Sequence, residues 1–79
     1  MRKITNVRRS RNDTQMWFVV HDFEQRLYEV WHVDPSRGPV DGVSILQETF
    51  TYEDVMESND EVSARIQAKH LARDLSDAA

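Results

Sequence analysis

The sequence predicts an α+β fold: a small antiparallel β-sheet of three or four strands packed by a C-terminal α-helix. Three observations predict it. Residues 14–21 and 26–33 are dense in Val, Phe, Trp and Tyr and flank a short polar link, the pattern of a β-hairpin. Ala64, Ala68, Leu71 and Leu75 recur at i, i+4, i+7 and i+11, which lines one face of a helix. A chain of 79 residues is one domain, 1–79, with a thin core.

The elements follow in order. Residues 1–12 form a basic N-terminal arm, with an edge strand over 3–9, although Ile4 and Val7 break strict alternation. Ser10, Arg11, Asn12 and Asp13 make a polar turn, because Asn and Asp bond their own backbone and tolerate unusual φ. The hairpin spans 14–33. Its register is open in the sequence, since no Asn-Gly or Asp-Gly fixes the turn. An odd register sum joins Met16, Phe18 and Val20 with Leu27, Trp31 and Val33 into one dry face. The other face is then amphipathic, with Trp17, Val19, His21, Tyr28, Val30 and His32.

Pro35 and Pro39 make residues 34–39 a rigid turn. A further strand is expected over 40–48, with Val43 and Ile45 on one face. The helical region is expected over 51–76. Thr51 reads as a cap to a short turn over 52–57, and Ser58 with Glu61 as a capping box for a main helix from 59 to about 75. Val62 and Ile66 fall on a second helix stripe, well over 100° from the alanine face at ~100° per residue.

Charge is divided unevenly. Arg2, Lys3, Arg8, Arg9 and Arg11 supply five of the ten basic residues, and no acid precedes Asp13. Residues 12–79 hold five bases and fourteen acids, a net of −9. This reads as a basic edge on an acidic body, and charge on an edge strand also guards it against pairing with another sheet.

Several function classes lack their signatures. Without cysteine there is no disulfide framework, thiolate metal site or thiol nucleophile. Glycine occurs only at 38 and 42, so no phosphate-binding glycine loop and no Gly-x-Ser-x-Gly turn is present. His21, His32 and His70 form no His-x-x-x-His pair, and half-exposed sheet histidines are expected rather than a metal site. No cofactor is expected. The longest apolar run, 16–20, is too short to span a membrane. No apolar core follows the first basic residues, so a cytoplasmic protein is expected.

What remains is binding. Trp, Tyr and Arg dominate protein contact hot spots. The sequence therefore nominates Trp17, Tyr28, Val62 and Ile66 as contact residues, with Arg8, Arg9 and Arg11 as an electrostatic patch. The expectation is a non-catalytic interaction module, an inhibitor or adaptor bound to a larger protein, of the type that phages and mobile elements encode. That origin is an analogy of size and acidity alone. A homodimer would enlarge the core of so small a domain. The alternative is a nucleic-acid accessory protein that clamps phosphates with the same arginines and stacks bases on Trp17 and Tyr28.

Overall fold

The β-branched and aromatic residues of the segment 16–22 make it the centre of the fold. In the computed structural model, which describes residues 1–33, 44–53 and 61–79, every residue of this strand is buried. The elements are β1 (Arg2–Arg9), β2 (Met16–Asp22), β3 (Leu27–Val33), β4 (Ile45–Thr51) and α1 (Glu61–Ala78). The strands form one antiparallel meander in the order β1-β2-β3-β4. Consecutive strands are neighbours, as short connections favour.

The hairpin adopts the odd register. Met16 pairs with Val33, Phe18 with Trp31 and Val20 with Glu29, while Trp17 meets His32, Val19 meets Val30 and His21 meets Tyr28. The sheet therefore has the two faces that alternation predicts.

Turn chemistry holds the register. In the β1–β2 turn, the Ser10 amide donates to the Gln15 carbonyl at 3.0 Å. The Asn12 carboxamide oxygen accepts from the Ser10 hydroxyl at 2.9 Å and the Thr14 hydroxyl at 2.7 Å. Asp13 has φ 60°, a left-handed position that Asp tolerates. In the β2–β3 turn, Asp22 accepts from the amides of Glu24 at 3.1 Å and Gln25 at 3.0 Å. Arg26 closes that turn at φ 57°, with its guanidinium 5.0 Å from the Tyr52 ring centroid.

The helix packs on the amphipathic face. Ala64, Ala68 and Ala72 are fully buried against Trp17, Val19, Tyr28 and Val30, flanked by Phe50, Leu71 and Leu75. Methyl-sized side chains let the helix backbone approach the large rings below. Two polar contacts fix its direction. The Tyr28 hydroxyl donates to Glu61 in the first turn. At the other end Arg8 of β1 reaches Asp77 at 3.7 Å. The helix thus crosses the sheet diagonally.

The first three strands shift by one or two residues at their ends, and two boundaries differ by three residues. The last strand runs Ile45–Thr51, so Thr51 ends a strand instead of capping a helix. Cross-strand pairing decides this: Thr51 lies opposite Leu27 and Phe50 opposite Tyr28, and Thr and Phe suit such a pleated surface. Tyr52 is buried beneath the helix. The helix continues to Ala78, three residues past Leu75. The proline turn over 34–39 and the start of the strand expected over 40–48 lie outside the described residues, as do most of the short turn over 52–57 and the capping residues Ser58 to Asp60.

The acidity is also placed differently. Residues 34–43 and 54–60 carry five acids and one base, so the described residues hold nine of each. The helix has three bases and three acids over its 18 residues. The described strands and helix together are nearly neutral, and the net −4 comes from residues outside them.

Candidate protein-contact face

The face of the sheet opposite α1 is built from every strand. Each edge strand contains a bulge. On β1, Ile4 pairs with Val20 and Asn6 with Val19, leaving Thr5 as the extra residue. Its hydroxyl donates to the Val19 carbonyl at 3.4 Å. An extra residue shifts the alternation by one, so Ile4 and Val7 both fall on the face away from the helix. This resolves their broken spacing in the sequence. On β4, Val30 pairs with Glu48 and Trp31 with Leu46, leaving Gln47 as the extra residue. Leu46 thereby joins Trp31 on the same face.

The middle of this face is a second apolar cluster of Met16, Phe18, Val20 and Val33, with Trp31 packed against it. The Phe18 and Trp31 rings stack at 6.4 Å with 8° between planes. Around it Ile4, Val7 and Leu46 are 48%, 53% and 44% exposed. Between β1 and β3 lies a cavity of about 240 Å³, floored by Ile4, Phe18, Val20 and Trp31 and rimmed by Arg2 and Lys3. No described helix packs here; α1 occupies the other side.

Arg2 beside the cavity is compensated within the chain. Arg2 bridges Asp22 at 3.1 Å and Glu29, and the Trp31 indole N–H donates to Glu29 at 3.3 Å. The Gln25 amide, with the Arg2 guanidinium, holds the buried Asp22 carboxyl below its ordinary range. Part of the basic arm therefore serves the chain's own acids.

The nominated contact residues separate into three groups. Trp17 and Tyr28 are 4% and 1% exposed beneath α1, and they offer no outer surface. This corrects their placement as contact residues. The helix chose their face because its alanines fit over the rings and two of the polar rings find partners: Tyr28 has Glu61, and His21 Nε2 lies 2.6 Å from the Tyr52 hydroxyl, while His32 Nε2 is buried with no partner among the described residues. Val62 and Ile66, by contrast, are exposed on the outer side of the helix.

The third group is the arginines, which do not form one patch. Arg8 lies opposite Trp17 on the helix side, Arg9 opposite Met16 on the other, and Arg11 in the turn. Adjacent strand residues point to opposite faces. Arg8 reaches Asp77, and Arg9 lies 3.9 Å from Asp13. Sequence reasoning found the dry face but assigned no contact role to Ile4, Val7, Trp31 or Leu46. The two bulges that bring Ile4, Val7 and Leu46 to it have no sequence signal of their own here.

Beneath the helix start an aromatic cluster surrounds His21, with Phe23 at its exposed end. His21 stacks on Phe23 at 3.9 Å and on Tyr28 at 4.0 Å. Burial pulls the His21 imidazole below its ordinary value, opposed by Glu61 and Asp22 and reinforced by Arg65. Burial also raises the Tyr28 and Tyr52 hydroxyls, with Glu61 adding to both. The folded chain thus holds His21 neutral. Its contribution to stability is complete above the unfolded value of about 6.5 and is lost as pH falls below it. The thermal midpoint is expected to drop between pH 7 and 5. His21→Gln, which keeps a polar partner for Tyr52, should flatten that slope; an unchanged slope in a thermal melt series would contradict the assignment.

Among the described residues no group of three or more His, Asp and Glu side chains is arranged to hold a metal ion. No described helix is long and apolar enough to cross a membrane. Comparison with protein-family models, curated proteins and solved structures finds no match for this chain.

Proposed function

We propose that this chain is a non-catalytic protein-interaction module, an adaptor or inhibitor that docks on a larger protein. The observation that carries this reading is the second apolar sheet face, with Ile4, Val7 and Leu46 exposed around Phe18 and Trp31 and no described helix upon it. Contiguous exposed apolar surface rimmed by polar groups is the usual mark of a protein contact. Val62 and Ile66, 43% and 45% exposed on the outer side of α1, supply a second contact stripe. The nucleic-acid reading requires Trp17 and Tyr28 to stack on bases, and both lie under the helix.

Affinity capture from the source cell tests the proposal. The full chain should retain one stoichiometric partner, and Ile66→Asp should lose it while keeping the helical signal by circular dichroism. Ile66 is exposed, so the substitution leaves the core intact. Identical capture by wild type and by variants of both surfaces would contradict the reading.

A further inference from the structure

We propose that the sheet face opposite α1 is occupied by a second copy of this chain, packed face to face through Phe18, Trp31, Ile4, Val7 and Leu46. The inference rests on the interaction-module reading and names the partner of one of its two surfaces.

Geometry limits how two copies can associate. Both sheet edges are interrupted, β1 at Thr5 and β4 at Gln47, and β1 also carries four cations and no acid. Bulges and edge charge oppose strand-to-strand pairing. The broad face is the remaining sheet surface, and sheets pack face to face about 10 Å apart.

Charge favours a like partner on this face. Its charged members by register are Arg2, Arg9, Asp22 and Glu29, two of each sign, Lys3 adds one cation at the cavity rim, and Arg2 is already paired with both acids. A face whose charges nearly cancel repels its own copy far less than the whole chain's −4 would suggest. A strongly basic or acidic partner would find no matching field there.

Size sets the strength. Four strands of about seven residues cover roughly 20 × 23 Å, or about 450 Å² per copy. The pair would bury about 900 Å², below the standard range for stable complexes and in that of weak ones. A dimer with a dissociation constant in the micromolar range is expected, with the two helices outermost and the exposed Val62 and Ile66 side of α1 outside the dimer contact.

Sedimentation equilibrium of the full chain from about 5 to 300 μM is the test. The mass should rise with concentration from the 9.3 kDa of one chain toward twice that value. Val7→Lys with Leu46→Lys should remain monomeric throughout, since both sites are exposed and the new charges face their own copies. If the double variant fails to fold, each single substitution should weaken association at least tenfold. A wild-type monomer at 300 μM, or variants that dimerise like wild type, overturns the proposal. A monomer that still captures a partner through Ile66 overturns only the dimer. Dimerisation without any Ile66-dependent capture upholds the dimer and contradicts docking on a larger protein.

Discussion

Tyr28→Ala is expected to lower stability by about 3–5 kcal/mol, the range for truncating a buried aromatic ring. A chain of 79 residues has a total stability of roughly 4–12 kcal/mol, so this one change can unfold much of the population. The size follows from what the ring does. It is 1% exposed, stacks on His21 at 4.0 Å, lies tilted to Tyr52 at 6.4 Å, and sends its hydroxyl to Glu61 in the first turn of α1. Tyr28→Phe separates packing from the hydrogen bond. It keeps the ring but leaves Glu61 without this donor, at a cost of about 1.5–3 kcal/mol for a bond to a charged group. Urea midpoints of the two variants measure both. Equal losses would show that the Glu61 contact, and not the ring, dominates.

Ala68→Leu should cost about 1–3 kcal/mol in the opposite way, by overfilling. Leucine is a good helix former, and propensity alone would make the change nearly neutral. Ala68 is fully buried between helix and sheet, among Trp17, Val19 and Val30. A larger side chain must lift the helix from the rings or force strained rotamers. Lys69→Leu, one position along on an exposed site, is the control and should change stability by less than about 0.5 kcal/mol. A neutral Ala68→Leu would contradict the close approach of α1 to the sheet.

Much of this fold was legible in the sequence, and the parts that were not have physical reasons. Strand content and the alanine face were visible because alternation and 3.6-residue periodicity are local. The register was legible as parity: an odd sum places Met16, Phe18 and Val20 with Trp31 and Val33. Which face the helix would take was not legible, because both faces hold enough apolar side chains to be covered. That choice depends on shape and polar satisfaction across some forty residues, through Ala68 over large rings and Tyr28 with Glu61. The bulges at Thr5 and Gln47 are set by pairing with other strands, so Ile4, Val7 and Leu46 looked unremarkable alone. The placement of charge was misread for a simpler reason. Summing 12–79 hid the fact that the acidic excess belongs to 34–43 and 54–60 rather than to the sheet and helix.

The helix closes one sheet face, and we propose that the other is a contact surface. The chain's two tryptophans lie on opposite faces, so each face carries its own fluorescent reporter. Trp17 is 4% exposed under α1, while Trp31 is half-buried beside the cavity. Acrylamide quenching of the single-tryptophan variants Trp17→Phe and Trp31→Phe reports each ring separately. At low micromolar concentration, Trp31 should quench several-fold more steeply than Trp17, and that difference should shrink when partner or a second copy is bound. A Trp17 that quenches as readily as Trp31, or a Trp31 whose quenching no binding alters, would contradict the account.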